Sequence, residues 1–211
     1  MLNKTVNGNE RNLARERAKE AYEEMAAHVF EPDELEKAVI KLEEARNINP
    51  KESFVYVADS YWTLVKGYTI GDWYDAKTFA KRTLEQSLVL AEKAIELDSY
   101  LPEAYAQVSR ILIIKGDFPR AQVMLDKMRT LDPENFYYWY YQAISYENQH
   151  EPEKAAHFLD EAEKRSTQDY HHYVINLHRQ NVAALGNDLQ KEEQLLKDNI
   201  KNNPTSFSRL W

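Results

Sequence analysis

Not one of the 211 residues is cysteine. Disulfides and thiolate chemistry are thereby excluded, while the compartment stays open, because a cysteine-free chain suits cytosol and periplasm alike. Only 5 glycines and 7 prolines are spread over that length, too few turn residues for a sandwich or barrel of many short strands. No stretch approaches the ~20 apolar residues of a membrane span, and an aliphatic run such as Ile111 to Ile114 is far shorter. Met1 to Glu10 holds no apolar core of an export signal, so the expectation is a cytoplasmic protein, or a periplasmic one if an export segment preceded this numbering, with no membrane insertion. Without such a signal the Asn3-Lys4-Thr5 glycosylation pattern is read as chance. Basic residues form no run: Lys81-Arg82 and Lys164-Arg165 are isolated pairs. A net charge of −8 and a pI near 5.3 leave no face that would neutralise phosphates, so nucleic acid is not an expected partner.

Apolar residues make up 43%, near the globular average, which argues for a packed core rather than disorder. The unusual abundance is of 14 tyrosines and 4 tryptophans. From Pro102 to Thr167 a 34-residue pattern is written twice: Tyr105, Gly116, Ala121, Leu125 and Pro133 are answered by Trp139, His150, Ala155, Leu159 and Thr167. A period of that length is the mark of an array of two-helix units.

The rest of the chain is read outward from there. Leu13, Ala14, Ala18, Ala21, Tyr22, Met25 and Val29 recur at helical spacing from Glu10 to Phe30. Pro32 interrupts, Asp33 is placed to cap a second helix striped by Leu35, Ala38, Leu42, Ala45 and Ile48, and Asn49-Pro50 ends it. A second unit opens at Glu52-Ser53 with Phe54, Val57, Ala58, Tyr61, Leu64 and Val65. Its partner helix, recognisable as Ala91 to Asp98, arrives about 15 residues late, after an insertion that begins at Gly67. The letters predict a loop followed by one helix of about six turns from Ala76 to Leu97. Pro102–Asp132 is the cleanest unit, and Pro133–Arg165 follows with the run Phe136 to Tyr141. A more polar fifth unit places Tyr170, Tyr173, Val174, Leu177 and Leu185 on a first helix and Leu189, Leu196 and Ile200 on a second, as suits a terminal repeat that meets water.

These residues resemble the tetratricopeptide repeat family. The likeness is carried by Ala91-Glu92-Lys93-Ala94-Ile95-Glu96-Leu97-Asp98, Pro102-Glu103-Ala104-Tyr105, Gly116-Asp117-Phe118-Pro119-Arg120-Ala121 and Leu131-Asp132-Pro133, with Trp139 continuing it. It covers roughly Ala18 to Pro204, and the family's glycine on the first helix is replaced by Ser109 and Ala143. The resemblance implies an all-α fold: a right-handed superhelical solenoid of antiparallel helix pairs in one domain, residues 1–211. Its five repeats would span about 18–50, 52–99 (insertion near 67–80), 102–133, 134–167 and 169–204, with a tail at 205–211. It also implies a concave groove, lined by the first helices, that accepts a peptide or a partner helix. The family's clamp for chaperone tails is not expected, because the matching positions are mostly Glu23, Ala27, Ala106 and Tyr140, with only Arg110 basic.

Projected onto that groove, the candidate partner-binding residues are Tyr61, Leu64, Arg110, Ile113, Tyr137, Tyr140, Ile144, His171 and His178. Aromatic side chains suit such a face because they bury much area at low entropic cost. The alternative reading has the same rings packed inside the superhelix. Tyr105, Trp139 and Tyr146 are expected to pack. His171 and His178, seven apart on one helix, are too widely spaced for a single-helix metal pair, which favours three or four. Carboxylate pairs such as Glu43-Glu44 read as solvated faces, and neither a nucleophile turn nor a phosphate loop is written. The expectation is a non-catalytic protein-binding module needing no cofactor and no metal. Its rivals are a homodimer formed through Phe207, Leu210 and Trp211 and, further off, a metal-dependent enzyme built on His171 and His178.

Overall fold

A computed structural model of the chain describes residues 7–29, 31–69, 71, 73–186, 194, 195 and 197. Among them the architecture is all-α, with nine α-helices, one 3-10 turn and no strand beyond a single isolated bridge. The helices are α1 (Gly8–Ala27), α2 (Pro32–Ile48), α3 (Ser53–Gly67), α4 (Thr83–Leu97), α5 (Pro102–Ile114), α6 (Phe118–Leu131), α7 (Phe136–Asn148), α8 (Pro152–Glu163) and α9 (Asp169–Leu185). No helix among the described residues is long and apolar enough to cross a membrane.

Local chemistry fixes most of the boundaries. Asn7 and Glu10 form a reciprocal capping box at the start of α1, the Glu10 N–H donating to Asn7 Oδ1 at 2.9 Å and the Asn7 N–H to Glu10 Oε2 at 3.0 Å. Pro32, Pro102 and Pro152 each stand in the first turn of a helix, where a missing N–H costs nothing. Pro32 therefore opens α2 itself. Asp33 is its second residue rather than its cap, which is a correction to the sequence reading.

The repeat register survives in three dimensions. α7 begins and ends 34 residues after α5, and α8 begins 34 residues after α6. Gly116 and His150, one repeat apart, both take positive φ, 74° and 58°. That left-handed turn is cheap for glycine; histidine accepts it because the register demands a reversal at that point. Each second helix presents a buried triad with the same spacing: Ala38, Leu42 and Ala45 on α2; Ser87, Ala91 and Ala94 on α4; Ala121, Leu125 and Met128 on α6; Ala155, Leu159 and Ala162 on α8. Small residues at the outer two positions of α2, α4 and α8, and at the first position of α6, let each helix lie close to its partner, as ridges-into-grooves packing requires. Emptying a filled central position, as in Leu125→Ala, costs about 2–5 kcal/mol.

Two compact units emerge, residues 1–131 and 132–211. In the first, α1 pairs with α2, α3 with α4 and α5 with α6, while α1 meets α3 and α3 meets α5. Arg15 of α1 braces that unit, donating to Glu52 Oε1 at 2.7 Å, to Ser53 Oγ at 3.2 Å and to Asp98 Oδ2 at 2.9 Å. α3 and α4 approach closely enough for Ser60 and Ser87 to exchange hydrogen bonds at 2.8 Å while both are fully buried, and Gln107 Nε2 adds a third bond to Ser60 Oγ at 3.1 Å. In the second unit α8 pairs with both α7 and α9. Trp139 packs as expected, its indole N–H donating to the Pro133 carbonyl at 3.1 Å beneath the Arg165 guanidinium. Tyr146 stacks on Phe158, and the Tyr105 hydroxyl donates to the Ser99 carbonyl.

The insertion departs from the single long helix expected over Ala76 to Leu97. Ala76–Thr78 is a 3-10 turn, Arg82 is left-handed at φ 69°, and α4 starts only at Thr83. The physical reason is a competing closure. Tyr68 and Phe79 form an antiparallel bridge, the Thr69 N–H donating to the Thr78 carbonyl at 2.8 Å and the Ala80 N–H to the Gly67 carbonyl at 2.6 Å. Those bonds and the burial of Phe79 outweigh the helix propensity of the letters. Leu189, Leu196 and Ile200, which marked the expected second helix of the fifth unit, and the tail from Phe207 to Trp211 lie outside the described residues.

Candidate functional site

The nine candidate residues fall on first helices: Tyr61 and Leu64 on α3, Arg110 and Ile113 on α5, Tyr137, Tyr140 and Ile144 on α7, His171 and His178 on α9. Eight of them are at most 6% exposed, and only Tyr137 is half-buried. The register therefore identifies which side of each helix they occupy, and the structure adds that this side is filled by the protein's own atoms.

In the first unit the filling centres on Tyr61. Its ring lies 5.2 Å from Tyr22, and the Arg110 guanidinium sits 4.6 Å from its centroid, a cation–π geometry favoured by exclusion of water. Burial raises the Tyr61 phenol above its ordinary range and Arg110 opposes that rise, so the hydroxyl stays neutral at physiological pH. The insertion supplies the remaining contact. Trp73 lies 6.3 Å from Tyr61, 4.7 Å from Tyr68 and 5.6 Å from Phe79. The insertion that begins at Gly67 thus rests its aromatic side chains on the candidate site itself.

In the second unit two clusters form between α7 and α9. The His171 imidazole stacks on Phe136 with centroids 3.6 Å apart and meets Tyr137 edge-on, while the Tyr137 and Tyr170 hydroxyls hydrogen-bond each other. His171 Nδ1 accepts from the Thr167 N–H at 3.4 Å. That leaves the hydrogen of the neutral ring on Nε2, which is buried with no hydrogen-bond partner among the described residues. Desolvation, reinforced by the charge of neighbouring His172, lowers its pKa to about 4. The second cluster is polar. His178 Nδ1 and Glu147 Oε2 are 2.7 Å apart, Asn181 Nδ2 donates to Glu147 Oε1 at 2.9 Å, and Tyr140 meets the His178 ring edge-on. Both members of this His–Glu pair are buried, and the pair ties α9 to α7.

His171 and His178 thus have separate partners, two helical turns and about 10 Å of rise apart. Among the described residues no group of three His, Asp or Glu side chains is arranged to hold a metal ion. The candidates projected onto first helices did not include Glu147, Asn181 or Trp73. Asn181 stands 34 residues after Glu147, so the repeat register contained the signal for that contact. Nothing local to the insertion signalled that Trp73 would turn back onto Tyr61. Neither a protein-family model nor a curated protein sequence matches this chain.

Proposed function

We propose that the chain is a non-catalytic, tetratricopeptide-like interaction module, a right-handed superhelix of antiparallel helix pairs that recognises a protein or peptide segment through the first helices of its units. The observation that supports this reading is the 34-residue register of helix pairs, held to the residue in the bounds of α5 and α7 and in the left-handed turns at Gly116 and His150. Such arrays repeat equivalent side-chain positions from one helix pair to the next, and here those positions carry tyrosine, arginine and histidine, residue types that anchor protein partners. Access differs from position to position. Tyr137, half-buried and bonded through its hydroxyl to Tyr170, is the open position. Tyr61 is closed under Trp73.

The test is capture from an extract of the source cell by the full chain and by full-length Tyr137→Ala and Tyr170→Ala variants. A protein retained by the parent and lost by both variants, at unchanged helical circular dichroism, is the expected result. If every captured protein binds the variants as well as the parent, recognition through this face is wrong.

A further inference from the structure

We infer that the segment from Trp73 to Phe79 is a built-in occupant of the binding face around Tyr61, and that a partner segment anchored by an aromatic side chain binds there by displacing it. The inference rests on the interaction-module reading and specifies the chemistry of the partner at one position.

Hairpin closure does not require this segment. α5 reaches α6 through three residues, Lys115 to Asp117, and α7 reaches α8 through Gln149 to Glu151, whereas fifteen residues separate α3 from α4. The extra length is organised around aromatic rings rather than around the turn. Tyr68, Trp73 and Phe79 contact one another, and Trp73 also reaches Tyr61. Tyr61 is the repeat equivalent of Arg110 and Ile144, which stand 49 and 83 residues later, one and two repeats plus the insertion. The insertion therefore covers a position that the register assigns to recognition.

The segment buries the side chains of Tyr74, Thr78 and Phe79 beside the ring that it lays on Tyr61. Its backbone is held by the Thr69–Thr78 and Ala80–Gly67 bonds and by the 3-10 turn, in which the Lys77 N–H donates to Asp75 Oδ1 at 2.9 Å. Positive φ at Gly71 (121°) and Arg82 (69°) marks the two places where the chain reverses, and Gly71, Ala76 and Lys77 are exposed. Trp73 keeps part of its ring in solvent, whereas Tyr61 beneath it is buried. Lifting the segment uncovers the rings of Tyr61 and Tyr68 and exposes Tyr74 and Phe79, so the open state is costly until another aromatic surface replaces Trp73. An internal occupant of this kind lowers the apparent affinity of any competitor by the fraction of time the site is open.

Two measurements on the full chain decide the matter. In native-state hydrogen exchange, the Thr69, Thr78 and Ala80 amides should exchange through local opening on the order of a hundredfold faster than the Leu64 amide of α3. The second probe is a synthetic peptide with the sequence Tyr68 to Ala80. It should bind the full-length Trp73→Ala variant about tenfold or more tightly than the parent, whose own copy competes, and the peptide carrying Trp73→Ala should not bind. Insertion amides no faster than that of Leu64 overturn the inference, as does a helical Trp73→Ala variant that ignores the peptide or binds it no better than the parent does. A variant that loses its helicity overturns it too, by showing that Trp73 belongs to the core. None of these failures touches partner capture through Tyr137, so the module reading stands or falls separately.

Discussion

The His171 imidazole lies face to face with Phe136, the two planes 7° apart, in a site that among the described residues offers Nε2 no acceptor. A charged ring there would lose its hydration and gain nothing, which is why its pKa falls to about 4 from an ordinary value of 6.5. The consequence for stability has a definite sign. Above pH 6.5 neither state holds the proton; between 6.5 and 4 the unfolded chain binds it and the folded chain does not, so stability is lost as pH falls through that window. His171→Phe keeps the stack and removes the titration. In urea denaturation the variant should fall less in stability than the parent between pH 7 and pH 4.5, the difference growing as pH drops. Equal losses in the two proteins would mean that His171 is not held neutral.

Helix packing turns on contacts of similar economy. At the end of α3, a β-carbon on Gly67 would stand 2.1 Å from Thr83 Oγ1 and 2.7 Å from Thr83 Cβ, and a β-branched residue in the first turn of α4 has little freedom to withdraw. Gly67→Ala should cost about 1–3 kcal/mol by overpacking, and adding Thr83→Ala should return much of that loss; thermal denaturation of the single and double variants checks both. Much at this scale was legible in the letters, because a 3.6-residue period marks one face of each helix whatever that face meets. The triads on α2, α6 and α8, the turn at Gly116 and the packing of Trp139 all follow from it. The start of α4 did not follow: Ala76 to Leu97 reads as continuous helix, and only the pairing of Tyr68 with Phe79 and the left-handed Arg82 break it. Those features depend on rings brought together by the fold. The candidate site divides in the same way. Register places Glu147 and Asn181 one repeat apart, but periodicity cannot say whether the face it marks is open or already filled.

For the molecule as a whole, that last distinction decides which variants inform on function. If the nine candidates formed an open groove, replacing Tyr61, Tyr137 and Tyr140 by alanine would abolish partner capture and leave the helices intact. Burial of Tyr61 and Tyr140 to 3% and 4% exposure reverses the second half of that expectation. Removing a large buried ring costs about 3–5 kcal/mol, and two such losses consume most of the roughly 5–15 kcal/mol that stabilises a domain. The triple variant should therefore lose much of its helical circular dichroism at room temperature, and its failure to bind would report on folding alone. Tyr137→Ala, at a half-buried position, should stay within about 1–2 kcal/mol of the parent and keep its helical signal. A triple variant as helical as the parent would mean that Tyr61 and Tyr140 contribute little to the core, restoring the open groove and making the cover over Tyr61 unnecessary. Far-ultraviolet circular dichroism of the two variants, taken before any capture experiment, separates these cases.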